Sequence, residues 1–392
     1  MLKILCIGNE IRHELGCAAS LAMLGYEVTY FHIGNENINT GKVTVITDAG
    51  SVKMNIFRAP RCSLIYGVLH GSRISKLIAE LHDNFDLVIT TPSVPFYIAY
   101  HVHAMHEIPI LLRIWGIRAC KVFDHVIYGK NYSEIFNFAP SFAHNLLQCI
   151  LSHAVIVMDD YTRKFISWLY FLKHLYLVYP TYALIRNIND KLIKEAEKIK
   201  EITEELESNY ILSIVHLRRN HRVAKISEVP LIKILYRIAR YCPEINIIVA
   251  GSTLEDLRLT LGKNELPNNI YALGWIFSDE ALSILYKHAK LVVVPIFYKS
   301  ISNRLLEALF YGKPILTNST AKELHNVLEN LNHVLICDDY DKYPTIIRDI
   351  IKDEDLLTSL SRGAKRAYKT FFSSKVHGLL MENIMKNFMA KS

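Results

Sequence analysis

Residues 296–318 read Ile-Phe-Tyr-Lys-Ser-Ile-Ser-Asn-Arg-Leu-Leu-Glu-Ala-Leu-Phe-Tyr-Gly-Lys-Pro-Ile-Leu-Thr-Asn and follow an apolar run, Leu291 to Pro295, of strand character. Ser302 and Asn303 are residue types that open helices, because a short side-chain oxygen accepts from an unsatisfied amide of the first turn. Arg304 then falls in that turn, where backbone donors, the positive end of the helix dipole and a guanidinium can all face one diphosphate. Glu307 lies one turn further along the same face, where a carboxylate accepts hydrogen bonds from vicinal hydroxyls such as those of a ribose. The same spacing also fits an ordinary amphipathic helix on which Arg304 and Glu307 pair with each other in solvent. A basic cluster of His216, Arg218, Arg219, His221, Arg222 and Lys225 follows a second apolar run that ends at Val215. It reads either as a clasp for phosphates or as a solvated basic loop.

These residues need a scaffold that brings strand ends together. In open parallel sheets ligands sit beyond the carboxyl ends of the strands, where helix N-termini aim free amides at them. The first half alternates strand-like runs (Lys3–Ile7, Glu27–His32, Leu87–Thr91, Pro109–Ile114, Ala154–Met158, Leu175–Val178) with helical periodicity at Cys17–Leu24, Ile74–Leu81 and Pro95–Met105. That rhythm predicts a parallel sheet covered on both faces. The second half repeats it from Ile211 to Cys337, with closing helices at Tyr343–Ile351, Asp355–Lys369 and Ser374–Met389. Between Asn187 and Asn209 the composition turns to Lys and Glu, the mark of a solvated helix near a domain passage. The expected domains are 1–182, an acceptor-binding half, and 183–372, a nucleotide-sugar-binding half, with a helix at 373–392 packing back toward the first.

The stretch Asn269 to Asn318 resembles the donor half of family 4, group 1 glycosyltransferases. The resemblance rests on Asn-Ile-Tyr-Ala-Leu-Gly-Trp-Ile, on Asp-Glu-Ala-Leu-Ser-Ile-Leu-Tyr-Lys-His-Ala-Lys-Leu-Val-Val-Val-Pro, and on Asn-Arg-Leu-Leu-Glu-Ala-Leu-Phe-Tyr-Gly-Lys-Pro-Ile. It implies an α/β protein of the GT-B fold, two Rossmann-like doubly wound parallel-sheet domains facing a central cleft. It further implies that Gly274 opens a nucleobase pocket lined by Trp275 and Ile276, and that Glu307 binds the donor ribose. Ser302, Asn303, Arg304 and Leu305 complete the expected donor contacts. Where the family often has a second glutamate contacting the transferred sugar, this sequence has Lys299. The family also places an Arg and a Lys in the loop after Val215, here Arg219 and Lys225, to hold the departing diphosphate as negative charge builds on it.

The amino-terminal half is similar to the same family in Leu5–His32, Asp86–Thr91 and Ile110–Gly116, with Trp115 where relatives carry a His. His13, Glu14, Arg113, Trp115, Gly116 and Arg118 are the expected acceptor-side residues, against a reading as strand-end polar groups. Asp339-Tyr340-Asp341 imitates a metal-holding Asp-x-Asp, but its place near the end of the second sheet suits a helix cap, as does that of Asp159-Asp160. No metal and no cofactor beyond the nucleotide-diphospho-sugar substrate is expected.

Bulk properties narrow the alternatives. A net charge of +7 over 392 residues, with basic groups scattered among acids, does not indicate nucleic acid, although it suits peripheral contact with an anionic lipid surface. No apolar run approaches the roughly 20 residues that cross a bilayer. The seven cysteines are widely spaced and mostly in apolar segments, as reduced core residues would be. The reading is thus a cytoplasmic glycosyltransferase, peripheral on the inner membrane face if its acceptor is lipid-linked. Its partners are a sugar-nucleotide donor and a glycan, lipid-linked or small-molecule acceptor. The resemblance implies transfer with retention and without metal; the alternatives are a non-catalytic sugar-nucleotide or glycan-binding subunit and a nucleotide-sugar epimerase.

Overall fold

The computed structural model describes residues 2–9, 12–34, 40–60, 63–81, 85–116, 135–170, 172, 174–185, 190–207, 209–215, 222–297 and 302–390. The chain forms two units. One runs to residue 186 and takes in residues 371–390; the other holds the described residues of 187–297 and 302–370.

In the first unit the strands are β1 (Lys3–Gly8), β2 (Glu27–Ile33), β3 (Gly41–Thr47), β4 (Gly50–Ala59), β5 (Leu87–Thr90), β6 (Ile110–Ile114), β7 (Ala154–Val157), β8 (Leu175–Leu177) and β9 (Leu184–Ile185). They lie in the order β8-β7-β6-β5-β1-β2-β4-β3-β9. The pleat sorts the side chains. Ile4 and Cys6 of β1 join one core with α1 (Arg12–Met23), while Leu5 and Ile7 face a second core with α3 (Val94–His106). Helices α2 (Leu64–Leu81), α4 (Ile135–Leu151) and α5 (Asp160–Tyr170) complete the crossovers among the described residues. Asp159 caps α5, its Oδ1 accepting from the Thr162 amide at 2.6 Å.

This sheet is not wholly parallel. Strand β3 runs antiparallel to both β4 and β9. The hairpin turn is held by Thr47, whose hydroxyl accepts from the Ala49 amide at 3.2 Å and donates to the Gly50 carbonyl at 3.1 Å. Neither β3 nor β4 stands out in the sequence, because Lys, Thr, Ser and Asn interrupt their apolar positions, and helix α4 is likewise unanticipated.

The second unit has β10 (Tyr210–Ile214), β11 (Asn246–Ala250), β12 (Ile270–Gly274), β13 (Leu291–Val293), β14 (Ile315–Thr317) and β15 (Leu335–Ile336) in the order β12-β11-β10-β13-β14-β15, every pair parallel. Its helices are α6 (Asp190–Glu205), α7 (Arg222–Tyr241), α8 (Leu254–Leu261), α9 (Asp279–His288), α10 (Asn303–Phe310), α11 (Thr320–Leu324), α12 (Tyr343–Lys352) and α13 (Glu354–Ala367). Ile232, Leu235 and Ile238 of α7 and Ile347 of α12 cover one face of the sheet through Ile211, Ile247 and Val249. Tyr210 turns the other way, and its hydroxyl donates to the Leu285 carbonyl of α9 at 2.7 Å. Strand order reverses between β10 and β13, so their carboxyl ends flank the natural ligand position of such a sheet.

The last helix, α14 (Ser374–Met389), belongs to the first unit and packs on α1. Ser373 caps it, and Glu382 accepts from the Tyr26 hydroxyl at 2.8 Å. The hydroxyl and the amide of Ser374 both donate to Asp48 Oδ1, at 2.8 and 2.9 Å.

In the second unit α13 lies so close to the chain at Asn332 that a methyl group at Gly363 would stand 1.6 Å from the Asn332 carbonyl oxygen. Gly363→Ala is expected to lower stability by about 1–3 kcal/mol through this overpacking. A urea-unfolding midpoint equal to the parent's would show that the backbone there yields freely.

Candidate active site

The described residues expected on the donor side follow the carboxyl ends of strands of the second sheet. Helix α10 starts as its sequence predicts: the Ser302 hydroxyl accepts from the Leu305 amide at 3.4 Å, and Asn303 at the first helical position is half-buried. The next side chain behaves otherwise. Arg304 is buried and does not pair with Glu307; its guanidinium turns to Glu228 of α7, with Nη1 3.0 Å from Oε2 and Nη2 3.1 Å from Oε1. Nη1 also donates to the carbonyl of Ile214, the last residue of β10, at 2.7 Å. The amphipathic-helix alternative, with Arg304 and Glu307 paired in solvent, does not describe this structure. The expectation that the guanidinium faces a diphosphate also meets a group already engaged by a carboxylate.

Glu307 is buried as well, and its Oε2 accepts from the Tyr286 hydroxyl of α9 at 2.8 Å. Asn318, after β14, holds the strand that precedes α10: its Oδ1 accepts from the Ile296 amide and its Nδ2 donates to the Ile296 carbonyl, both at 2.9 Å. Gly274 ends β12 with φ 72°, a conformation that suits glycine. Its amide donates to Ser252 at 3.0 Å and its carbonyl accepts from Gly251 at 2.6 Å, so the ends of β11 and β12 are cinched together. Beyond it Trp275 is exposed and Ile276 half-buried, on a loop anchored by Glu195, which accepts from the Phe277 and Ser278 amides at 3.0 and 2.6 Å. Of the remaining donor-side expectations, Arg219 and Lys299 and the side chain of Lys225 lie outside the described residues.

The first unit has its own cluster, where β1 and β5 mark the reversal of strand order. His13 and Glu14 on α1, and Arg113 near the end of β6, are buried. The His13 ring meets Trp115 edge-on at 4.9 Å. Glu14 Oε2 accepts from the Tyr30 hydroxyl at 3.3 Å, and a methyl group at Gly8 would stand 1.8 Å from that oxygen. Arg113 donates to the Met158 sulfur at 3.1 Å and keeps its buried Nε without a partner among the described residues. Gly116 follows with φ 77°, and Arg118 falls outside the described residues.

Four residues here escaped sequence reasoning: Glu228, Tyr286, Asn318 and His377. Only Asn318, directly after a predicted strand, carried a positional signal. Among the described residues no group of three or more His, Cys, Asp and Glu side chains is placed to hold a metal. Asp339 is engaged as a cap, accepting from the Asp341 amide at 3.1 Å.

Strand order reverses within each unit, and the chain has the GT-B fold. Three solved structures share that fold over essentially the whole chain. Sucrose-phosphate synthase from Thermosynechococcus elongatus is 15% identical with a TM-score of 0.72, covering 100% of both chains. HepE from Anabaena, solved in complex with UDP-glucose, is 13% identical with a TM-score of 0.63, covering 98% of this chain and 100% of its own. Trehalose 6-phosphate synthase from Burkholderia multivorans is 10% identical with a TM-score of 0.64, covering 100% of both. At these identities the likeness is one of fold. Residues 194–367 match the model of the family described as glycosyl transferases group 1. That match, together with the shared fold, supports a glycosyltransferase. No curated protein sequence matches it.

His377 provides a pH test of the first cluster. Its Nδ1 bonds the Tyr179 carbonyl at 2.8 Å. Burial above all, and then the charge of Arg113, push its pKa from 6.5 down to about 3. The unfolded chain therefore takes up a proton below the ordinary value that the folded chain refuses, and stability falls as pH drops from 6.5 toward 3. His377→Asn should flatten the fall in melting temperature between about pH 7 and pH 5. A variant as acid-sensitive as the parent would assign that sensitivity to other groups.

Proposed function

We propose that the protein moves a sugar from a nucleotide-diphospho-sugar to an acceptor hydroxyl, with retention of configuration at the sugar and without a metal. The observation that carries this reading is the arrangement beside β10 and β13. A Ser302-capped helix presents its first amides there, and Glu307 stands one turn behind, fixed by Tyr286. Those amides stabilise the diphosphate as it departs, and Glu307 receives the ribose hydroxyls. Arg219 and Lys225, after β10, supply the positive charge that the engaged Arg304 does not. The UDP-glucose named with the Anabaena structure supports a uridine nucleotide as the donor.

The acceptor side is assigned to the cluster of His13, Glu14, Arg113, Trp115 and Gly116 in the first unit, supported by its place at the strand reversal and by the buried, unpartnered Nε of Arg113. Among the described residues no helix is long and apolar enough to cross a membrane. Trp168, 71% exposed on α5 near the exposed Arg163 and Lys164, supports peripheral contact with a lipid surface if the acceptor is lipid-linked.

The test is incubation of the purified protein with labelled UDP-, GDP- and ADP-sugars, alone and with candidate acceptors. Donor-dependent transfer, or slow hydrolysis of one donor, is expected. Interconversion of the sugar without release of the nucleotide would replace the reading with epimerisation, and binding without turnover would replace it with a non-catalytic role. Glu307→Gln is expected to weaken nucleoside diphosphate binding about tenfold through loss of a charge-assisted hydrogen bond. Calorimetric titration checks this, and unchanged affinity would remove Glu307 from the donor site.

A further inference from the structure

The pair between Arg304 and Glu228 has a placement that net stability does not explain. Both side chains are 6% exposed, and both of their ends are satisfied by two parallel hydrogen bonds. Withdrawing two ions from water offsets most of their attraction, so a buried pair adds little net stability, whereas it defines geometry closely. What this pair defines is specific. Ile214, which also receives the guanidinium at 2.7 Å, ends the strand before residues 216–221. Glu228 lies in the helix that begins directly after those residues. Arg304 stands in the first turn of the helix that follows residues 298–301. One ion pair thus fastens the backbone on both sides of one donor-side segment and on the downstream side of the other. Tyr286 extends the bracket, its hydroxyl lying 2.8 Å from Glu307 Oε2 and 3.5 Å from the Arg304 carbonyl.

We propose that Glu228 is a positioning residue of the donor site. Through Arg304 it sets where the first turn of α10 stands relative to the end of β10, and with it the capped amides and Glu307. Arg304 acts as a strut whose charge is cancelled within the protein, and not as a ligand of the diphosphate. This rests on the nucleotide-sugar reading above for the identity of the site.

The experiment uses the full chain, UDP as the probe, and two variants. Glu228→Gln keeps shape and removes the charge. The double variant Glu228→Leu with Arg304→Met removes both ions, and because buried pairs replaced by apolar groups of similar volume commonly keep their stability, it should melt within a few degrees of the parent. Both variants should show faster amide hydrogen exchange across residues 303–307 than the parent, with the rest of the second unit little changed. UDP affinity should fall about tenfold or more in both, and Glu228→Asp should recover part of it. If Arg304 instead grips the phosphates itself, freeing it by Glu228→Gln leaves UDP affinity intact or improves it, which overturns the proposal. Unchanged exchange at residues 303–307 also overturns it, as does a double variant that binds UDP like the parent. A parent protein that binds no nucleoside diphosphate overturns the donor reading itself, a result distinct from any difference among the variants.

Discussion

A guanidinium and a carboxylate withdrawn from water have to meet each other, and in the second unit that requirement joins β10, α7 and α10 at one point. The parallel sheet makes the meeting possible. Strand order reverses between β10 and β13, so the helices that leave those strands diverge to opposite faces and leave their starts side by side. The first turn of α10 stands there, with Asn318 securing the strand exit before it through both polar atoms of Ile296. Glu307 is bound into the same framework through the hydroxyl of Tyr286.

The first unit solves a related problem with different groups. Its strand order also reverses, at β1, and polar side chains from α1 and β6 converge there. Where the second unit neutralises its arginine, the first gives Arg113 the Met158 sulfur as an acceptor, with neutral His377 nearby. Burial depresses the imidazole and the neighbouring guanidinium depresses it further, so the cluster keeps one cation and excludes a second. Gly8 is part of the same packing, since any side chain there would occupy the space of the Glu14 carboxylate.

Much of this was legible before any coordinates. Strands buried on both faces, such as Tyr210–Ile214 and Asn246–Ala250, are apolar runs broken by little more than a Ser or an Asn, and helices with capping residues, such as Leu254–Leu261 and Asn303–Phe310, announce their own starts. The strands Gly41–Thr47 and Gly50–Ala59 were not legible, because burial alternates with exposure along them and their charged and hydroxyl residues blur the pattern. Local spacing singled out Ser302, Arg304 and Glu307 but did not foresee the carboxylate that Arg304 meets. Arg304 is three positions from Glu307 and 76 from Glu228, and only the assembled sheet decides between them. His377 was invisible for the same reason, being 198 positions from the carbonyl it bonds. Periodicity reports which face a residue occupies, and long-range pairing needs the topology.

The return of α14 to the first unit bears on how the protein is made. The core shared by β1 and α1 includes Met381, Ile384 and Met385, residues that leave the ribosome only after the whole of the second unit. Until then the nascent first unit carries an uncovered apolar strip along α1, and its completion waits on the far end of the chain. The full core of the first unit can therefore close only after the second unit has been synthesised.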